Sequence, residues 1–280
     1  MSKFSFKKIL LTGATYVATV AIAIGSTLAL LQDNDLTINV MATGIVDIDH
    51  VILERDGEGL KEFTQLAPLY PAVFPTGDQG LTETLSWESI GALGKNTIHS
   101  ASIRNVRDMF TFVQNTSGTE AYVRAWFAFE QGDLTEEEFE DLIVINRDDE
   151  HWSWSDPEYD VRIDGNPYVV VCATYLGAKD NDCVLPKNTI SHPSLLQIYM
   201  ASKATNRDCV AVDGNDSGKY EVLFCFQAVQ TMGFQSTDPQ TATTPLESAE
   251  NALNTAFPNN PWEDMIWPAY QYAAPGDRLE

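Results

Sequence analysis

The sequence predicts a mainly β protein: a jelly-roll-like antiparallel β-sandwich with one or two short helices. Three observations point there. Apolar residues alternate with polar ones in short runs, and helical spacing is rare. Clusters of Gly, Asn, Asp, Ser and Pro, the residues that turns demand, separate those runs. Thirteen Phe, ten Tyr and six Trp supply the aromatic weight that strands and a thick core favour.

In chain order, the first element is an address. Lys3, Lys7 and Lys8 precede an uncharged apolar run from Ile9 to Leu31. Ser26-Thr27-Leu28-Ala29 places small residues where a signal peptidase reads, and Gln32-Asp33-Asn34-Asp35 follows. Residues 1–29 therefore read as an export signal cut between Ala29 and Leu30. A retained membrane anchor is the rival, because the run matches the ~20 residues a spanning helix needs. Thr12, Gly13, Thr15, Thr19 and Gly25 dilute the run and favour cleavage. In both readings the bulk of the chain works outside the cytoplasm, and the membrane is touched only through an uncleaved signal.

Residues 30–257 then form the β-sandwich domain, and residues 258–280 an irregular tail with Trp262 and Trp267. Leu36, Ile38 and Val40 alternate with Thr37 and Asn39, a half-buried strand pattern. Gly44 breaks it, and Val46 and Ile48 resume it towards Leu53. Residues 66–94, rich in Pro, Gly, Ser and Thr, read as a long connection. Residues 100–115 and 120–130 are strands about the turn Asn115-Thr116-Ser117-Gly118. Thr135-Glu136-Glu137-Glu138 is a capping box, so a short acidic helix spans 135–144 with Phe139, Leu142 and Ile143 on one face. Trp152-Ser153-Trp154 begins an extended piece. Residues 159–163 and 168–175 flank Asp164-Gly165-Asn166-Pro167, a hairpin turn with Asp-Gly chemistry. Residues 195–201 and 220–229 add strands, and Leu246, Ala249, Leu253 and Ala256 suit one helix over 245–257.

Four cysteines in an exported chain permit two disulfides in three connectivities. Residues 207–226 read as strand, turn, strand. Folding them about Ser217 brings Cys209 opposite Cys225, which leaves Cys172 for Cys183. Zinc ligation is the poorer reading, since the spacings are not of the CxxC kind.

Removing the signal takes away three lysines and no acid, moving the net charge from −23 to −26. Such a surface repels nucleic-acid phosphates and anionic headgroups. His50, His99, His151 and His192 are scattered without an HExxH pattern, no GxSxG precedes a helix, and no Gly-rich phosphate loop is present. The chain therefore reads as a non-enzyme without a resident cofactor. Calcium is the one candidate ion, through Asp213, Asn215 and Asp216 or through Asp180-Asn181-Asp182, although Asp, Asn and Gly are also what tight turns require.

Lys7-Lys8-Ile9-Leu10 through Gly25-Ser26-Thr27-Leu28-Ala29, with Asn39-Val40-Met41-Ala42-Thr43-Gly44 beyond, resembles the exported proteins processed by a SipW-type signal peptidase. The stretch from Val113-Gln114-Asn115 through Gly118 to Ala121-Tyr122-Val123-Arg124 is similar to the strand–turn–strand of the same group. The chain thus resembles the TasA/camelysin family of Gram-positive biofilm-matrix proteins. The resemblance implies a jelly-roll sandwich, secretion to the cell surface or matrix, and self-association into fibres. Residues 30–40 would be the donor strand, with Leu36, Ile38 and Val40 as its alternating apolar positions. Camelysin has been classed with metallopeptidases, but the clustered ligands that activity needs are missing here. The alternative function is a secreted carbohydrate- or calcium-binding module, with Trp152, Trp154, Trp262 and Trp267 stacking on sugars. Intact mass of the exported protein is expected to place the new N-terminus at Leu30; a chain that keeps residues 1–29 would make the segment an anchor.

Overall fold

Both helices expected from the sequence form, and for the expected reason. The computed structural model describes residues 30–31, 35–41, 46–56, 59–63, 68–74, 84–85, 97–98, 103–178, 182–214, 217–231 and 244–262. The signal segment, the cleavage residue Ala29, His99 and Trp267 lie outside them.

The strands in order are β1 (Leu30–Leu31), β2 (Asp35–Met41), β3 (Ile48–Asp56), β4 (Gly59–Glu62), β5 (Thr84–Leu85), β6 (Thr97–Ile98), β7 (Val106–Asp108) and β8 (Phe110–Asn115). They continue with β9 (Ala121–Glu130), β10 (Ile143–Arg147), β11 (Trp152–Trp154), β12 (Glu158–Ile163), β13 (Asn166–Tyr175), β14 (Thr189–Ile190), β15 (Leu195–Met200) and β16 (Val222–Gln230). The helices are α1 (Glu136–Leu142), α2 (Asn206–Val212) and α3 (Pro245–Ala256). Among the described residues, no helix is long and apolar enough to cross a membrane.

The protein is mainly β, a sandwich-like arrangement of sheets. The larger sheet runs β1-β2-β16-β9-β13-β11, with β12 also on β13. Facing it are a three-stranded sheet, β10-β15-β7, and a four-stranded sheet, β14-β8-β3-β4. Among the named strands, pairing is antiparallel except between β2 and β16, which run parallel; the isolated Pro71–Met200 bridge is parallel too. The main core lies between the layers. Val123, Ala125, Phe127 and Phe129 of β9 meet Val171 of β13 and Phe224 of β16 there, against Ile48, Val113, Leu195 and Ile198 of the facing sheets. Phe127 stands at its centre, stacked on Phe129 and Trp154 and edge-on to Phe224.

Local chemistry explains the turns. Asp164 and Gly165 have φ of 50° and 86°, the positive pair that a two-residue hairpin needs. Asn115 stitches the β8–β9 turn: its amide donates to the carbonyls of Thr119 and Leu185, and its oxygen accepts from the N–H of Ser117. Thr135 caps α1 reciprocally with Glu138, and Thr244 does the same for α3 with Glu247.

One expectation is corrected here. Residues 207–226 are not a hairpin, because Asn206–Val212 is helical. The Asp208 carboxylate accepts from the N–H and hydroxyl of Thr205, starting a turn of helix where a strand was expected. At its other end, the Ala211 carbonyl accepts from the N–H of Asp133. Within the expected connection over 66–94, the described residues 68–74 are anchored to the body. Leu69 and Ala72 are buried, and Val73 exchanges two main-chain hydrogen bonds with Arg104.

The loop after β9 and the turn after α2 touch backbone to backbone. Gly132 has φ of +58°, and a Cβ there would stand 2.2 Å from the Ala211 carbonyl oxygen. Gly132→Ala is therefore expected to cost on the order of 2–4 kcal/mol, from strain and the forced displacement of α2. A lowered urea midpoint would register it, and an unchanged midpoint would show that the loops yield.

Candidate functional site

The site of interest is the edge of the large sheet where β2 lies along β16. β16 reads VLFCFQAVQ, and residues 222–229 of it are buried. Its inner residues Val222, Phe224, Phe226 and Ala228 fill the main core. On the outer face, Leu223 and Cys225 join Ala128, Tyr168 and Trp262 in a second cluster. A strand apolar on both faces cannot be left as a bare edge without inviting another chain.

β2 covers it. The register pairs Thr37 with Phe224, Ile38 with Cys225, Asn39 with Phe226, Val40 with Gln227 and Met41 with Ala228. β1 folds back on β2, Leu30 opposite Leu36 and Leu31 opposite Asp35. Leu30, the residue expected to follow the cut, thus opens a strand at the outermost edge. Leu36, Ile38 and Val40 all fall in β2, and the register sets Ile38 and Val40 beside outer-face positions of β16.

Behind the edge, β16 is braced by its neighbours. Gln227 Oε1 accepts from Arg124 Nε at 2.5 Å and from the Trp126 indole at 3.1 Å. Arg124 also donates to Asn254 Oδ1 and to the Phe257 carbonyl, the C-terminal cap of α3. Burial pulls its guanidinium below the ordinary range, with Cys172, Cys225 and Glu250 acting the other way.

At the N-terminal end of β16 sits a buried carboxyl pair. Glu130 Oε2 accepts from the N–H of Glu221 at 3.0 Å, and the Tyr168 hydroxyl donates to Glu221 at 2.7 Å. Burial raises Glu130 from its ordinary value of 4.5 to about 8; Glu221 and Asp213 add to the rise, and main-chain N–H groups oppose it.

The expected disulfides are absent: all four cysteines are described, and each is a thiol. Cys209 sits on α2 against the main core, its thiol 3.7 Å from Met200 Sδ, whereas Cys225 belongs to the outer face. The sheet separates them. Cys172 and Cys183 are also apart, because the N–H of Cys183 meets the carbonyl of Leu176, which lies about 13 Å along the extended chain from Cys172. Burial pushes the Cys172 thiol up to about 12 and that of Cys183 to about 11.

The calcium candidates fare as turn chemistry where they are described. Asp213 spends its carboxylate on the N–H groups of Ser217 and Gly218, while Asn215 and Asp216 lie outside the described residues. Among the described residues, no three His, Cys, Asp or Glu gather to hold a metal. The tryptophans proposed for sugar stacking are engaged: Trp152 and Trp262 are buried, and Trp154 packs on Phe127 and Arg147. Sequence reasoning missed Arg124, Glu130 and the meeting of His151 with His192. A lone Arg or Glu amid the apolar run of residues 121–130 was the available sign for the first two.

Comparison with protein-family models, with curated proteins and with solved structures finds no match for this chain.

Glu130 gives a pH prediction. Its folded value exceeds its unfolded one, so it costs nothing below about pH 4.5, and the cost grows as pH rises towards 8. Glu130→Gln is expected to match the wild type near pH 4 and to exceed it by on the order of 5 kcal/mol well above pH 8. Urea titrations at both pH values would decide it; equal effects at the two would remove Glu130 from the account.

Proposed function

We propose that this chain is a secreted structural protein that assembles, at the cell surface or in an extracellular matrix, by exchange of its N-terminal strand. One observation supports the reading above the others. Among the described residues, the open side of the nine-residue strand β16 is filled by β2, part of the segment that follows the predicted signal cleavage. Main-chain hydrogen bonds supply most of the affinity in strand addition, and they are the same whether the added strand comes from this copy or another. The parallel pairing helps, because no tight hairpin turn ties β2 to β16. In this account a SipW-type peptidase cuts after Ala29 and frees residues 30–41, which fill either their own edge or the next subunit's. Calcium plays no part in the mechanism, and no residue acts catalytically.

Deleting residues 30–41 from the secreted form is expected to abolish fibres in negative-stain microscopy. The same chain should accept an added peptide of that sequence at its bare β16 edge. Fibres that persist after the deletion would sink strand exchange as the mode of assembly.

A further inference from the structure

His151 directly precedes β11, and His192 lies between β14 and β15. Their rings stack with centroids 3.5 Å apart and planes 9° from parallel. Both rings are clamped. Asp148 Oδ2 lies 2.9 Å from His151 Nδ1, while its Oδ1 accepts the N–H groups of Glu150 and His151. The buried Tyr175 of β13 sets its hydroxyl 3.2 Å from His192 Nδ1. The indole of Trp152, the first residue of β11, donates to the carbonyl of His192. One knot of side chains therefore ties an edge strand of the large sheet to a connection of the facing sheets.

The knot tolerates charge unequally. Two neutral imidazoles stack without conflict, and a single positive charge on the pair is offset by the Asp148 carboxylate, 2.9 Å from His151 Nδ1. A second proton puts two positive rings face to face at 3.5 Å. We propose that the His151–His192 stack is an acid-sensitive latch: it holds β11 against the β14–β15 connection while at most one ring is charged, and the second proton parts them. The surrounding charges fit this use. Burial first, and then His151, lower the value of His192, while Asp148 and Glu150 pull it up without prevailing. Arg147 is engaged with Asp149, and Asp182 lies on the Tyr175 side. Because His192 stands below its unfolded value of 6.5, its contribution is complete above that pH and is lost on acidification. His50 is also lowered by burial, but it stacks on Phe226 in a different part of the molecule, so it serves as a control.

Hydrogen exchange, corrected for intrinsic rates and read by mass spectrometry, tests the latch. Between about pH 7 and about pH 5, peptides covering 148–155 and 190–194 should lose protection by about tenfold, while those of β9 keep theirs. His192→Gln removes the second charge and should flatten that local response, and His50→Gln should leave it intact. A response that persists in His192→Gln overturns the proposal. So does acid loosening of the wild type that spreads evenly over the chain; this second criterion needs no variant and holds even if His192→Gln fails to fold.

Discussion

Arg124 carries a positive charge in the middle of a sheet that is buried on both faces, only 5% exposed. A buried cation stripped of partners costs far more than a paired one returns, so the outer face must supply acceptors. It does so through three acceptors on two elements: Gln227 on β16, and on α3 Asn254 and the carbonyl of its C-cap Phe257. A cation at that carbonyl also suits the negative end of the helix dipole. The rings of Trp126 and Phe257 add cation–π contacts, their centroids 5.4 and 6.0 Å from the guanidinium. With α3 held, Ala249, Ala252 and Leu253 pack on Tyr122 and Val229, and the outer face closes. The long apolar runs of β9 and β16 are tolerable only because this cover exists.

That double burial also decides what could be read from the chain. Where one face meets solvent, alternation was legible: β12 shows exposed and covered positions in turn before the Asp-Gly turn. β9 and β16 lack clean alternation, and their aromatic and β-branched content identified them instead. α1 was legible through its capping box, and α3 through the helical spacing of Leu246, Ala249, Leu253 and Ala256. Thr135 with Glu138 announces its helix, whereas Thr205 with Asp208 uses the same grammar with a shorter acid at the head of a segment, 207–226, that reads as strand, turn, strand. Val210, 70% exposed, shows what that reading missed, since the apolar side chain faces out and its neighbour Val212 faces in.

The candidate site was legible by halves. The pattern of Leu36, Ile38 and Val40 announced a strand, but nothing local announced its partner. Pairing between β2 and β16, and stacking between His151 and His192, join residues that share no neighbourhood in sequence. The cysteine pairing failed for a related reason. Folding residues 207–226 symmetrically assumed one sheet with one face, while the structure puts Cys209 and Cys225 on opposite sides of it. Glu130 was invisible for a different reason: one acid among forty acquires its character from surroundings that only the fold assembles.

The parallel pairing of β2 with β16 also sets an order of events. Its partners are roughly 190 residues apart, so the entropy of closing that loop is met only after the intervening sheets have formed. A chain that crosses a membrane from its N-terminus delivers β2 first and β16 nearly last. For that interval the first strand is in solution with nowhere of its own to go. Under the strand exchange proposed above, once β16 has folded, that strand would compete for the edge with every neighbour's first strand in the same condition. In the proposed exchange, closure of the chain on itself would then depend on the local concentration of copies as well as on the stability of the closed form.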